Sequence, residues 1–213
     1  MNRDLENMRS QYLKHTLNRT DLLDEGMDQF KTWWQDALKA NVNEANTFIL
    51  STVRDNRPSS RVVLIKGVTE NGIQFYTNYE SRKGQDMETN PNVSACFLWI
   101  EQERQVRIEG TVSKISREES ERYFQSRPRE SQISAWTSPQ SKVVGNRDVL
   151  QEWRDRIEMK FQHVDPLPVP EFWGGYELHI QQIEFWQGRA DRLHDRFQYV
   201  REINGWNIER LAP

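Results

Sequence analysis

Between residues 47 and 115 five short strand-like segments succeed one another, most of them joined by links of hairpin length. This spacing constrains the fold more than any other feature of the chain. The segments are residues 47–53, 61–66, 73–77, 93–100 and 105–115. Asp55-Asn56-Arg57-Pro58 punctuates the first link, and Asn71-Gly72 supplies a strong hairpin signal in the second. Parallel neighbours would need crossovers of a dozen or more residues, so the pattern predicts an antiparallel sheet closed into a barrel.

Helices flank this β-rich stretch. Phe30, Trp33, Trp34, Ala37 and Leu38 form one apolar stripe, predicting a helix that ends near Asn41. Ser81 caps a short helix through about Thr89, closed by Asn90-Pro91-Asn92. Ser116-Arg117-Glu118-Glu119 has the pattern of a capping box and starts a helix to about Ser126, which Pro128 stops. Asn146 caps another, with Val149, Leu150, Trp153, Ile157 and Phe161 on one side. Beyond the stiff Pro166-Leu167-Pro168-Val169-Pro170 segment, residues 175–186, 197–203 and 206–210 read as late strands. The expected class is mainly β with flanking helices (α+β). Residues 1–28 are expected to form a polar arm, and residues 29–213 a single domain, because the part after the prolines is too short to bury a core of its own.

Hydrophobic residues are only 36% of the chain, but eight Trp, nine Phe and six Tyr supply the bulk a core needs. No run of eighteen apolar residues exists, so no membrane-spanning helix is expected, and the polar start favours the cytoplasm. A net charge of -3 gives no general attraction to nucleic acid. The single cysteine, Cys96, lies in an apolar run and is expected to be a buried small hydrophobe. Four histidines without ligand spacing argue against a metal centre.

The polar residues point to anions. With Ser81 as cap, Arg82 and Lys83 occupy the first helical turn, where the helix field disfavours cations. A bound phosphate would reverse that cost; alternatively both side chains extend into solvent and lose tenths of a kcal/mol. Arg61 and Lys66 bracket an apolar run and, five apart on a regular strand, would point to opposite faces, so that Lys66 faces a ligand differently from Arg61 or both are solvated residues of the rim. Arg127-Pro128-Arg129 and Gln140-Ser141-Lys142 lie outside clear helices and could grip a second anion or cap loops. The densest cluster runs from Trp186 to Arg196, where Arg192 and His194 share a face if the stretch is extended.

Several runs, in order, resemble the pyridoxine/pyridoxamine 5′-phosphate oxidase family in its bacterial form. They include Arg61-Val62-Val63-Leu64-Ile65-Lys66, Phe75-Tyr76-Thr77-Asn78 with Ser81-Arg82-Lys83, and Glu103-Arg104-Gln105-Val106. Tyr123-Phe124, Ser126-Arg127-Pro128-Arg129-Glu130-Ser131-Gln132-Ile133 and Pro170-Glu171-Phe172-Trp173-Gly174-Gly175 come next. The last are Ile183-Glu184-Phe185-Trp186-Gln187-Gly188, Arg192-Leu193-His194-Asp195-Arg196 and Glu209-Arg210-Leu211-Ala212-Pro213. The resemblance implies an FMN-binding split β-barrel that forms a homodimer through its C-terminal region, with FMN at the interface. It puts FMN contacts on Arg61, Val62, Val63, Leu64, Ile65, Lys66, Tyr76, Thr77, Arg82, Lys83, Gln105, Gln140, Ser141, Trp186 and Arg196. Substrate contacts fall on Lys66, Tyr123, Arg127, Ser131, Arg192 and His194, and Arg9 and Tyr12 of the arm close over the site as a lid. The catalytic residues would be Arg192 and His194. Ser10 and Arg189-Ala190-Asp191 depart from the family pattern, which bears on the lid and on substrate preference.

The implied reaction oxidises pyridoxine 5′-phosphate or pyridoxamine 5′-phosphate to pyridoxal 5′-phosphate, with hydride transfer to FMN and reoxidation by O2 to H2O2. A related split-barrel flavoprotein with another substrate, such as a flavin reductase, and a non-enzymatic carrier of FMN or pyridoxal phosphate are the alternatives.

Overall fold

Helix α1 (Gly26–Lys39) forms where the apolar stripe places it, burying Phe30, Trp33 and Ala37 and leaving Leu38 exposed. A computed structural model describes residues 11–213; the arm residues Arg9 and Ser10 lie outside the described residues. The chain forms two compact units. One comprises the segments up to Leu50, Ser94–Gly110 and Ile180–Pro213; the other comprises Ser51–Val93 and Thr111–His179. Helix α1 spans the 28/29 border, so the end of the arm and the start of the expected domain share one element.

Among the described residues nine strands make an antiparallel sheet in an α+β fold: β1 (Thr47–Arg54), β2 (Arg57–Leu64), β3 (Gly67–Val68), β4 (Gly72–Asn78), β5 (Asn92–Trp99), β6 (Arg104–Lys114), β7 (Trp173–Gln187), β8 (Asp195–Glu202) and β9 (Gly205–Leu211). They pair in the order β2-β1-β5-β6-β7-β4-β3, with β8 on β7 and β9 on β8. The Asn71-Gly72 signal yields the hairpin of β3 and β4, with Gly67 opposite Gln74. Strand β4 then runs antiparallel to the first half of β7, setting Tyr76 against Gly175 and Thr77 against Gly174.

In the first unit Phe30 packs on Phe97 at 5.2 Å, Phe97 on Phe48 at 5.2 Å, and Trp33 on Phe185 at 5.1 Å. Truncating any one of these rings would cost about 3–5 kcal/mol, since each is close to fully buried. In the second unit Phe124, Ile133, Phe161, Leu167 and Trp173 form a separate core. Helices α3 (Arg117–Ser126), α4 (Arg129–Thr137) and α5 (Arg147–Lys160) surround it. Ser116 and Asn146 cap α3 and α5 as expected, accepting the amides of Glu119 and Val149.

Three expectations are corrected. Helix α4 was not expected: Pro128 ends α3 but is itself the N-cap of α4, because a helix start is one place where a missing N–H costs nothing. Strand β2 begins at Arg57 and ends at Leu64, shifted from 61–66. Among the described strands it pairs only with β1, at the end of the strand order, which tolerates Pro58, and its apolar residues do not enter the core: Val62 is 65% and Leu64 41% exposed. Cys96 is half-buried rather than buried, and burial pushes its thiol pKa up.

Candidate active site

The second unit contains a cavity of 660 Å³ whose wall is built largely from β2, β4 and α4 with the loop after it. Arg61, Val62, Val63, Leu64, Lys66, Tyr76, Thr77, Lys83, Tyr123, Arg127 and Gln140 all line it. Arg61 and Lys66 thus face one cavity, not opposite sides: regular β2 alternation stops at Leu64, and Ile65 turns into the core. Arg82, Ser131 and Ser141 do not line it.

One end of the cavity is cationic. Helix α2 (Arg82–Thr89) starts with Ser81 Oγ accepting the Gly84 amide at 3.3 Å and donating to the Asn78 carbonyl at 2.6 Å. A Cβ at residue 84 would run into the backbone of Tyr79, so a glycine lets the first turn fold back closely. Arg82 points to solvent while Lys83 turns inward. Lys83 Nζ, 9% exposed as a residue, donates to Gln140 Oε1 at 2.9 Å, Thr77 Oγ1 at 3.1 Å and Ser81 Oγ at 3.3 Å. None of these acceptors is charged. Burial first, and Arg61 second, lower its pKa to about 8.

Arg61 is held differently. Its Nη1 donates to Thr52 Oγ1 at 2.8 Å, its Nη2 to Ser59 Oγ at 2.9 Å, and Asp86 Oδ2 lies 3.9 Å away. Thr52 donates its own proton to Asp86 at 2.7 Å, so hydroxyl and carboxylate together orient the guanidinium. Burial lowers the pKa of Arg61, with Asp86 opposing and Arg82 adding to the shift. Asp86, 1% exposed, was missed in the sequence; its only signal is an acid on the inward side of a short polar helix.

Aromatic rings and a second cation line another part of the wall. Tyr76 stacks on Tyr123 at 4.0 Å and on Trp173 at 5.5 Å. Burial, then Glu119 and Tyr123, push the Tyr76 pKa up to about 12, so the phenol stays neutral. The Arg127 guanidinium lies 4.9 Å over Trp173, and its buried Nη1 has no hydrogen-bond partner among the described residues. An inward guanidinium N–H with nothing to donate to fits an incoming phosphate oxygen.

The first unit gathers the remaining candidates. Trp186 and His194 pack at 4.6 Å, and Tyr12 meets both edge-on at 5.7 Å. Tyr12, Gln105 and Trp186 line a cavity of 340 Å³ with Glu103 and Arg104. The Arg189 amide donates to His194 Nδ1 at 3.1 Å, so the neutral ring carries its proton on Nε2. Burial, and then Arg192, lower the His194 pKa. The chain from Ala190 to Arg192 is not extended as expected; it is a tight 3-10 turn with Asp191 and Arg192 at φ of 56° and 61°. The parity argument for Arg192 and His194 therefore lapses, and Arg192 is exposed. Arg196 donates from Nε to Glu184 at 2.8 Å and from Nη1 to the Ala212 carbonyl at 2.7 Å, and the Glu184 contact raises its pKa. Buried Glu184, shared with Arg107 at 3.0 Å, and fully buried Gln187 were also missed. Both sit within an otherwise apolar strand pattern that sequence alone reads as core.

A family model described as pyridoxamine 5′-phosphate oxidase matches residues 34–159, and one described as pyridoxine 5′-phosphate oxidase C-terminal dimerisation region matches residues 173–213. The pyridoxine/pyridoxamine 5′-phosphate oxidase of Salinibacter ruber is 46% identical over 212 residues, covering 98% of this chain and 99% of the relative. That of Crocosphaera subtropica is 47% identical over 214 residues, covering 99% and 100%. The crystal structure of PhzG from Burkholderia lata 383 in complex with tetrahydrophenazine-1-carboxylic acid superposes with a TM-score of 0.85 at 28% identity, covering 93% of this chain and 98% of that one.

Proposed function

The chain belongs to the pyridoxine/pyridoxamine 5′-phosphate oxidase family and is an enzyme that oxidises these two phosphates to pyridoxal 5′-phosphate, and on that premise we propose how its residues divide the work. The 660 Å³ cavity holds FMN, with the phosphate on Lys83 and Arg61 beside Thr77 and Gln140. The observation carrying this reading is the Lys83 ammonium, whose hydrogen-bond acceptors among the described residues are three neutral oxygens, an arrangement that suits an anion. Val62, Val63 and Leu64 offer the exposed apolar edge a flavin ring can cover, and Ile65 supports it from the core side. Arg127, with Lys66, Tyr123 and Ser131, takes the substrate phosphate.

When bound there, FMN would supply a two-electron acceptor for oxidation at the substrate C4′ carbon, with O2 as the final oxidant giving H2O2. The protein's part is placement. Arg192 binds the C4′ hydroxyl or amine and assists loss of its proton. His194, locked with its proton on Nε2, donates a hydrogen bond from that atom to the substrate rather than taking a proton there. Gln105, Trp186 and Arg196 contact the cofactor, with Arg196 aimed by Glu184. Tyr12 covers the substrate and excludes water. The sheet is the split β-barrel of the family, and a second copy of the chain, docked through the C-terminal region, completes the FMN site at the dimer interface.

The test is oxygen uptake by purified protein reconstituted with FMN. Uptake should require pyridoxine or pyridoxamine 5′-phosphate and fall to background with the unphosphorylated vitamers, because Arg127 would lack its partner. Equal rates with and without the substrate phosphate would remove Arg127 from the proposed role.

A further inference from the structure

We infer that Gly188 and Glu103 are positioning residues that form a seat for the arm, holding Tyr12 against Trp186 and His194 and thereby setting affinity for the substrate. The inference rests on the reading that Tyr12 covers the substrate. Nothing about the backbone at residue 188 calls for glycine, since its φ lies outside the left-handed region. What calls for it is the Tyr12 side chain. A Cβ at residue 188 would stand 2.7 Å from Tyr12 Cγ, 2.8 Å from its Cβ and 2.9 Å from its Cδ1. Those atoms are at the root of the side chain, so a rotamer change of the ring tip cannot relieve the clash, and the arm itself would have to move.

Glu103 fastens the same seat from two directions. Its Oε2 accepts the Lys14 amide at 3.0 Å, two residues beyond Tyr12. Its carbonyl accepts the Gly188 amide at 2.8 Å and Gln187 Nε2 at 3.1 Å. Lys14 Nζ adds a bond to the Glu101 carbonyl at 2.6 Å. Further along, Asp195 Oδ2 accepts the Leu17 amide at 3.1 Å while Arg210 Nη2 donates to the Leu17 carbonyl at 3.2 Å. The arm is therefore pinned at both Lys14 and Leu17, although Leu13, Lys14, His15 and Thr16 are themselves exposed and contribute little burial. Bonds of this kind do not build a core. They fix where the Tyr12 ring stands.

The experiment compares Gly188→Ala, Tyr12→Ala, their double variant, Glu103→Gln and Glu103→Ala in the FMN-loaded enzyme. Steady-state kinetics, flavin content and amide hydrogen exchange of the arm peptide are measured for each. Losing the two edge-on ring contacts should raise KM about tenfold in Gly188→Ala, with kcat and flavin content within about twofold of wild type. Added to Tyr12→Ala, the same change should have no further effect, because the ring it displaces is already gone. Arm exchange should quicken in Gly188→Ala and Glu103→Ala and stay slow in Glu103→Gln, whose amide oxygen still accepts the Lys14 N–H. Unchanged arm exchange in Gly188→Ala, a KM increase that multiplies with that of Tyr12→Ala, or flavin loss in Gly188→Ala would each overturn the seat. If arm exchange quickens but Tyr12→Ala leaves KM unchanged, the seat stands and the reading of Tyr12 as a cover over the substrate fails.

Discussion

Lys83 makes a prediction in which pH acts on two properties in opposite directions. With its pKa lowered to about 8, the side chain is almost fully charged at pH 7 and about one-tenth charged at pH 9. A phosphate monoester, with its second pKa near 6, is a dianion across that whole range. If only the charged lysine receives the FMN phosphate, the dissociation constant should rise about tenfold between pH 7 and pH 9. The free protein should respond the other way. The unfolded chain keeps the lysine proton up to about 10.5, whereas the folded chain releases it near 8. The unfavourable contribution of a buried charge is thus present below about 8 and disappears as pH climbs to about 10.5, and its loss stabilises the flavin-free fold. Lys83→Met should remove both trends and weaken FMN at pH 7 by roughly 10- to 100-fold, the worth of a charge-assisted hydrogen bond. Fluorescence titration of FMN at half-unit pH steps, on wild type and variant, reads the first effect, and thermal melts of flavin-free protein read the second. A wild-type dissociation constant that is flat from pH 7 to 9, or a slope that survives in Lys83→Met, would refute the placement of the phosphate on this residue.

Asp86→Asn keeps an acceptor for Thr52 but removes the negative charge beside the half-buried Arg61 guanidinium. The flavin-free protein should melt lower, and the gap to the FMN-loaded form should widen because the phosphate then meets a more positive site. An unchanged gap in paired thermal melts would mean that Arg61 does not face the phosphate. Arg192→Ala should lower turnover by at least tenfold while flavin content stays near wild type, since Arg192 is exposed on a turn of the first unit and does not line the Lys83 cavity. Loss of flavin with normal turnover per bound flavin would contradict its assignment to the substrate.

Local signals in the sequence are reliable where a single side chain decides the geometry. Ser81, Ser116 and Asn146 each cap the helix they are expected to cap, and Asn71-Gly72 turns the hairpin it announces. Signals that depend on neighbours in space are not. The Val62–Leu64 stretch has the composition of a core strand, but its strand pairs on one side only, and no residue count reveals which face stays uncovered. Strand parity fails for Arg61 and Lys66 because the regular strand stops between them, and for Arg192 and His194 because neither lies on a strand: β7 ends at Gln187 and β8 begins at Asp195. Of the pair of cations at the start of α2, only Lys83 turns into the cavity, and Arg82 stays at the surface. Asp86, Glu184 and Glu103 stay hidden because each works by orienting another group, a role with no signature in spacing.

The most direct test of the account is a crystal structure of the FMN-loaded enzyme. The FMN phosphate should lie within hydrogen-bond distance of Lys83 Nζ, with the flavin ring against Val62 and Leu64 and with Arg127 left open for a second phosphate. A flavin phosphate bound at Arg127, or away from both cations, would contradict it.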